Sequence, residues 1–462
     1  MGDFSAEALL TRLLRTASVT GDEQGVLDDL EKLLEQSSAF WRFDSAPAAA
    51  APPLGNVRLR KWAVPVASLA SDAAFPGHEV DRGPDGLVPA LLVTVDRPAP
   101  RDGTSSDEMA AAPHVLLAAH VDVVPPGDVS TWTGDPFEPR WFGPGEGPAA
   151  GEEKTSRYVV ARGACDMKGG LVSLLLALRR LRAERHDGCV TLALVASEED
   201  GGMGMLAVIR RLQEEVERGE LTLPRAAVIP EPTGGGIVTA HAGALTFTLQ
   251  VPGKAAHAAT RREGVSALSN ALPLLRVLEE NEEARNAVVP DARMRALGLP
   301  YPTIVGKIRG GEWASSVIDS VTIEGRYGVT LEQSCQEAEA ELRAALTGVW
   351  SQHDFLREHT MDMAITGAAF EPCAVDEASP NVQAFLAAAA DVTGGTVATI
   401  GAPYGADMRL LVNVASIETV MYGPGSILHA HAADERVALD DVLTVANVVH
   451  RWVQRLGEES KT

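Results

Sequence analysis

Cysteine is scarce in this chain of 462 residues: Cys165, Cys189, Cys335 and Cys373 are all there is, with no CxxC pair and no regular spacing. That excludes a disulfide framework, and scattered thiols suit a reducing compartment. Long apolar runs are missing too. The longest, Gly169 to Leu178, falls far short of the roughly 20 residues that a membrane-crossing helix needs. The N-terminal MGDFSAEALL lacks the basic and apolar stretches of a signal peptide, and Ala6 stands where a myristoylation signal takes Ser or Thr. Basic residues are outnumbered: 40 Lys and Arg face 63 Asp and Glu, a formal charge of −23. Nucleic acid and acidic membrane surfaces would be repelled, so neither is expected as a partner. These absences make the cytoplasm the expected location.

What is present is apolar residue enough for more than one core, 45% of the chain. A single core rarely grows past roughly 250–300 residues, so two domains are expected. Residues 5–35 have helical periodicity, interrupted at Thr20-Gly21. Segments 45–55, 97–113 and 143–156 are rich in Pro, Ala, Gly and Ser and read as surface loops or insertions, with a short strand at Ala90 to Val95. From 114 the pattern is α/β. Val115 to Ala119, Val190 to Ala196 and Ala226 to Ile229 are short continuous apolar runs, as in strands buried on both faces, and a helix is expected over 168–185. Near 241 the period changes: Leu245, Phe247, Leu249 and Val251 alternate with polar residues. The same alternation recurs at Val321 to Val329 and at Met361 to Ile365, with helices expected over 264–286 and 331–346. That describes an antiparallel α+β domain inserted into the α/β one. Buried-strand patterning returns at Thr419 to Tyr422, and no internal repeat is found.

Ligands of an open α/β sheet collect at the carboxyl ends of its strands. There the chain places His120-Val121-Asp122, then Ser197-Glu198-Glu199-Asp200, then Pro230-Glu231-Pro232, while Asp166 opens the helix after a short strand at Tyr158 to Ala161. One such residue would mean little. Four acid or histidine clusters at successive strand ends are what a hydrolytic metal pair requires.

These segments resemble the di-zinc aminoacylase and carboxypeptidase G-type amidohydrolase family, which includes acetylornithine deacetylase and succinyl-diaminopimelate desuccinylase. The resemblance is carried by HVDVVPPG (120–127), WTGDPF (132–137), RGACDMKGG (162–170), ASEEDGG (196–202), PEPTGG (230–235), GKAAHAATRREG (253–264) and GPGSILHAHAADE (423–435). It implies two divalent metal ions per chain, zinc first with cobalt or manganese as substitutes. His120 and Glu231 would hold one, Glu199 and His431 the other, with Asp166 bridging. Asp122 would orient His120, and Glu198 would be the general base for a water shared by the two metals. His257 would reach into the site of a partner subunit and stabilise the oxyanion, which implies a homodimer and domain closure. Arg326 would grip the substrate carboxylate.

The implied fold is an α/β catalytic domain with a mixed, largely parallel sheet flanked by helices, plus a smaller inserted ferredoxin-like α+β lid and dimerisation domain. Its boundaries are expected at 1–240, 241–367 and 368–462. The implied activity is hydrolysis of N-acyl amino acids or similar small carboxylate-bearing amides. A dipeptidase, carboxypeptidase or deformylase of the same family is the alternative, ahead of an inactive binding protein. A metal-independent Ser or Cys hydrolase is set aside for want of a GxSxG elbow.

Two positions depart from the family pattern: Ser316 stands where Asn is usual, and His429 precedes His431 closely enough to compete as ligand. Spacing to Asp434-Glu435 favours His431. The remaining histidines, among them His114, His241, His353 and His450, read as surface or capping residues, and Cys165 as a packing residue. Arg409 reads as a substrate contact or a structural ion pair, and Arg326 has a salt bridge at the domain edge as its alternative. Glu214 to Glu217 and Glu279 to Glu283 read as solvated helix faces.

Overall fold

The computed structural model describes residues 4–41, 56–78, 80–83, 86–96, 113–184 and 188–459. The loops expected at 45–55 and 97–113 lie outside the described residues, Pro113 excepted. The first strands are β1 (Val57–Pro65), β2 (Leu87–Val95), β3 (His114–His120), β4 (Arg140–Phe142), β5 (Tyr158–Val160), β6 (Cys189–Val195), β7 (Ala226–Pro232) and β8 (Ile237–His241). They are followed by β9 (Gly243–Pro252), β10 (Thr303–Gly310), β11 (Ser320–Val329) and β12 (Asp362–Phe370). The last are β13 (Cys373–Ala374), β14 (Thr399–Ala402), β15 (Glu418–Gly423) and β16 (Arg436–Ala438).

Among the described residues a mixed sheet of nine strands runs β1-β2-β6-β3-β7-β15-β8-β13, with β14 paired to β8. Its central strands β6, β3, β7 and β15 are mutually parallel, so their carboxyl ends emerge on one edge. Every residue of β3 and β7 is buried, the reason both read as unbroken apolar runs. Helices Gly169–Ala183 and Pro380–Thr393 both pack on Leu439–Glu459, and Met203–Glu217 packs with Met408–Asn413. Gly170 decides how closely the first of these approaches β7. A Cβ there would lie 2.1 Å from the Pro230 carbonyl oxygen, so any side chain would push the helix away from the strand that bears Glu231.

A second, antiparallel sheet has the order β10-β11-β9-β12. With helices Ala267–Ala287 and Cys335–Gln352 it follows a βαββαβ path, the ferredoxin-like arrangement. Burial alternates along β9 and β11, as the sequence period predicts. Phe247, Leu249, Ile323, Leu274 and Leu342 anchor its separate core. A capping box between Ser334 and Glu337 starts the second helix. A small sheet, β16-β5-β4, completes the fold. Strand β10 escaped the sequence reading because it lies at an edge, is almost wholly exposed, and carries Gly306, Lys307 and Arg309 in place of an alternating pattern.

Several residues expected at the surface are inside. His114 is buried, with Nε2 2.9 Å from Thr191 Oγ1 and Nδ1 on the Thr222 carbonyl. His241 is buried with Nδ1 2.8 Å from the Ala242 carbonyl, and His450 is buried with Nε2 2.9 Å from Glu184 Oε2. His353 alone of the four does what was expected: its Nδ1 accepts the N–H groups of Phe355 and Leu356 at 3.3 Å. Within the acidic run 214–217, Glu215 is fully buried between Arg60 and Arg211. Thr191 and Arg60, on other strands, satisfy His114 and Glu215, and Glu184 satisfies His450; single-segment periodicity carries no sign of such partners.

Candidate metal-binding active site

The parallel edge brings the chemistry together. His120 is the last residue of β3, Glu231 lies within the buried end of β7, and Glu198 and Glu199 follow β6 through Ser197, which has φ +68°. Asp166 sits in the turn between β5 and helix Gly169–Ala183 with non-helical φ −116° and ψ 95°. His431 comes from the loop after β15, at φ +58°. Left-handed backbone at Ser197 and at His431 costs energy for any residue with a Cβ, and such positions persist where the surroundings hold them.

One carboxylate stands between two imidazoles. Asp166 Oδ1 is 3.1 Å from His120 Nε2, and Asp166 Oδ2 is 3.3 Å from His431 Nε2. Glu231 Oε1 lies 3.7 Å from His120 Nε2, and Glu199 Oε2 lies 3.1 Å from His431 Nε2. Two groups of side chains are spaced to hold a metal ion: His120, Glu198 and Glu231, and His120, Asp166 and Glu199. His120 is oriented from behind. Its Nδ1–H donates to the carbonyl oxygen of Asp122 at 2.9 Å, closer than the 3.5 Å to that residue's carboxylate. The carboxylate is engaged elsewhere, accepting the N–H of Glu198 on Oδ1 and that of Glu199 on Oδ2, both at 3.2 Å.

The electrostatics ask for a cation. Burial, then the charge of Glu231, pushes the Glu198 carboxyl well above the usual carboxylate range. Burial, then the charge of Asp166, does the same to Glu231 and raises Glu199. Burial works against charge on Asp166 as well, but hydrogen bonds from both imidazoles outweigh it and hold that carboxyl well below the usual range. For His431 burial opposes protonation, yet Glu199 and Asp166 push the imidazole up to about 11. Glu231 Oε1 has no hydrogen-bond partner although it is buried. Oxygen and imidazole donors without a thiolate suit a divalent ion such as zinc, and such an ion would relieve the mutual repulsion.

The other sequence candidates have different partners. His429 turns away from it: its Nε2 accepts from Arg436 Nη2 at 2.7 Å and lies 3.4 Å from Glu152. His257 is exposed beside β9 and bridges to Ser316, the position where Asn is usual. Its Nδ1 accepts the Ala259 N–H at 3.1 Å, which leaves Nε2 as an outward donor. Arg326, on β11, donates to the Pro403 carbonyl at 3.3 Å, and no carboxylate pairs with it among the described residues. Arg409 is buried, with hydrogen bonds to the carbonyls of Ala406 and Gly201 at 2.9 and 2.7 Å and its guanidinium 4.2 Å from the Phe370 ring centre. It is structural. Cys165 is buried, and burial pushes its thiol far up.

Sequence reasoning missed four residues around the cluster. Thr20 donates its hydroxyl to Asp122 Oδ2 at 3.1 Å. Burial and then the charge of Glu231 hold the Tyr404 phenol far above its usual value. Asp407 is buried with both carboxylate oxygens unbonded, and burial pushes it up to about 7 against the pull of Arg409. Glu435 is buried beneath the Asp166 turn. Only the last carried a signal, as the final residue of the HAADE run.

The family model described as Peptidase family M20/M25/M40 matches residues 116–455. A succinyl-diaminopimelate desuccinylase of Delftia acidovorans is 25% identical over 395 residues, 83% of this chain and 90% of that protein. Among solved structures, a di-peptidase of Saccharomyces cerevisiae superposes with a TM-score of 0.66 at 12% identity, covering 98% of this chain and 96% of that one. A metallo-carboxypeptidase of Sulfolobus solfataricus superposes with a TM-score of 0.64 at 16% identity, covering 99% of this chain and 100% of the other.

Proposed function

Because the chain belongs to Peptidase family M20/M25/M40, a family of metal-dependent hydrolases of amide bonds, we propose that it cleaves N-acyl amino acids or similar small carboxylate-bearing amides. The observation that carries this reading is Asp166 set between His120 and His431, with Glu231 and Glu199 on its two sides. In this reading His120 and Glu231 hold one divalent ion, His431 and Glu199 a second, and Asp166 both. Such a pair, zinc by preference with cobalt or manganese as substitutes, supplies Lewis acidity toward a water and toward the substrate carbonyl.

The remaining steps belong to the side chains. A carboxylate oxygen of Glu198 takes a proton from the attacking water and returns it to the leaving nitrogen; burial raises this group's basicity for the task. Asp122 holds the imidazole of His120 through its carbonyl and the Glu198-Glu199 backbone through its carboxylate. Arg326 binds the substrate carboxylate, an assignment supported by its burial without an acidic partner. The N-acyl class is supported by the likeness to the desuccinylase along most of both chains.

Segment 241–367 is proposed as the lid and dimerisation domain between catalytic parts 1–240 and 368–462. Its edge strand β10 leaves Ile304 and Ile308 exposed, and Trp313 after that strand and Leu272 on helix Ala267–Ala287 are exposed as well. Exposed isoleucines on an unpaired strand edge favour a homodimer. The outward Nε2 of His257 would then serve the partner's site, where it stabilises the oxyanion. Free cysteines support a cytoplasmic location. Among the described residues no helix is long and apolar enough to cross a membrane.

The test is metal content together with turnover of a panel of N-succinyl, N-acetyl and N-formyl amino acids and dipeptides, for wild type and Glu198→Gln. Cleavage of an N-acyl compound by wild type alone supports the reading. Cleavage of dipeptides only would replace it with the dipeptidase alternative.

A further inference from the structure

A fully buried carboxylate lies under the turn that carries Asp166, and no step above uses it. Glu435 Oε1 accepts the N–H of Cys165 at 2.9 Å and that of Asp166 at 3.0 Å. Its Oε2 accepts the N–H of Gly163 at 3.0 Å and Nη1 of Arg162 at 2.7 Å. The backbone carbonyl of Glu435 accepts the N–H of Ala161 at 3.0 Å, so the residue grips the same turn twice.

Three convergent backbone N–H groups form a concave nest that needs an anion, and a buried N–H left unbonded costs about 1–3 kcal/mol. Gly163 makes the nest possible. It has φ +80°, and a Cβ there would lie 2.6 Å from a Val123 methyl. Arg162 extends the clamp to two more loops, with Nη1 3.4 Å from the Ala432 carbonyl and Nη2 3.5 Å from the Pro125 carbonyl. Its guanidinium also sits 5.0 Å from the Trp132 ring centre. The pair therefore ties together the loop after His120, the turn of Asp166 and the loop of His431.

We propose that Glu435 is a positioning residue that fixes Asp166 and His431 relative to each other, so that the two candidate metal positions form as a unit. The inference rests on the two-metal reading above. Position 435 lies four residues after His431 on the same loop, and the side chain reaches back to the backbone of the residue set between both imidazoles. Replacing the carboxylate by an amide puts an NH2 group against one set of donors. The turn must then rotate, and the Asp166 carboxylate moves with it. Removing one charge of a buried pair also destabilises a fold, so zinc affinity has to be read beside the melting temperature of each metal-free protein.

The experiment is zinc titration of the metal-free full-length chain by calorimetry. It compares wild type, Glu435→Gln and Arg162→Lys, with the melting temperature of each metal-free protein as a fold control. Wild type is expected to take up about two ions per chain. Glu435→Gln, folded by circular dichroism, is expected to bind zinc more weakly by about tenfold or more. Its two binding events should weaken together, with kcat lowered and KM little changed. If Glu435→Gln does not fold, Arg162→Lys decides, since it keeps the charge and loses the fork; the same joint weakening is expected. Wild-type affinity at both positions in a folded variant overturns the inference and leaves the two-metal reading standing. A wild-type chain that takes up no zinc overturns that reading, and the inference with it.

Discussion

The hydroxyl of Thr20 donates to Asp122 Oδ2 at 3.1 Å, joining the turn between the first two helices to the centre of the candidate site. That carboxylate also receives the N–H groups of Glu198 and Glu199, so Thr20 acts on the proposed base through Asp122. A Thr20→Val chain keeps the shape and loses the donor. Its kcat/KM is expected to fall by about tenfold to 150-fold, the equivalent of about 1.5–3 kcal/mol for one hydrogen bond to a charged group. Steady-state kinetics beside a thermal melt would check this, and an unchanged kcat/KM would remove Thr20 from the network.

Glu198 is expected to matter for turnover and hardly at all for metal retention. Glu198→Gln should lower kcat by about 10²–10⁴, the range of general acid–base catalysis, with metal content close to wild type. His431→Ala should lose metal as well as turnover. Elemental analysis of both variants separates the roles, and a fully active Glu198→Gln enzyme would end the proposed mechanism.

Acid should destabilise the fold through two interior histidines. Burial lowers the imidazoles of His114 and His241 to about 4 in the folded chain, against an ordinary value near 6.5. Between those values the unfolded chain binds more protons, so stability is lost as pH falls from about 6.5 toward 4, by up to a few kcal/mol per group. Urea unfolding across that window should show a shallower pH slope for His114→Gln than for wild type. Equal slopes would contradict the assignment for His114.

Chelation should lower the melting temperature and zinc should restore it. Removing cations leaves Glu198, Glu199 and Glu231 buried against one another, and burial with like charge already raises all three. A ligand that binds only the folded state stabilises it by mass action. Identical melts with and without chelator would argue against a metal at this site.

If His257 serves the partner subunit, two inactive variants should rescue each other. His257→Ala and Glu198→Gln, each inactive as a homodimer, should regain turnover when unfolded and refolded together. One site of the mixed dimer would have both groups. Ile308→Glu on the exposed strand β10 should instead yield monomers by light scattering. Failure of the mixture to recover would place His257 outside the partner's site.

Much of this protein is written in short stretches of its sequence. The unbroken apolar runs of β3 and β7, and the alternation along β9 and β11, follow from burial on two faces and on one. His120, Glu198, Glu199 and Glu231 could be found because each lies at, or just beyond, the end of a buried apolar run. Tertiary structure decided how they meet. Only the folded chain sets Asp166 between imidazoles 46 residues before it and far after it, and only there does His429 turn aside to Arg436. Nothing local marks His114 or Glu215 as interior, since their partners Thr191 and Arg60 come from other strands. Glu435 reaches Asp166 across 269 residues. Periodicity records which face of a segment is dry, whereas hydrogen-bond partners are chosen by packing between segments, and that information exists only once the chain has folded.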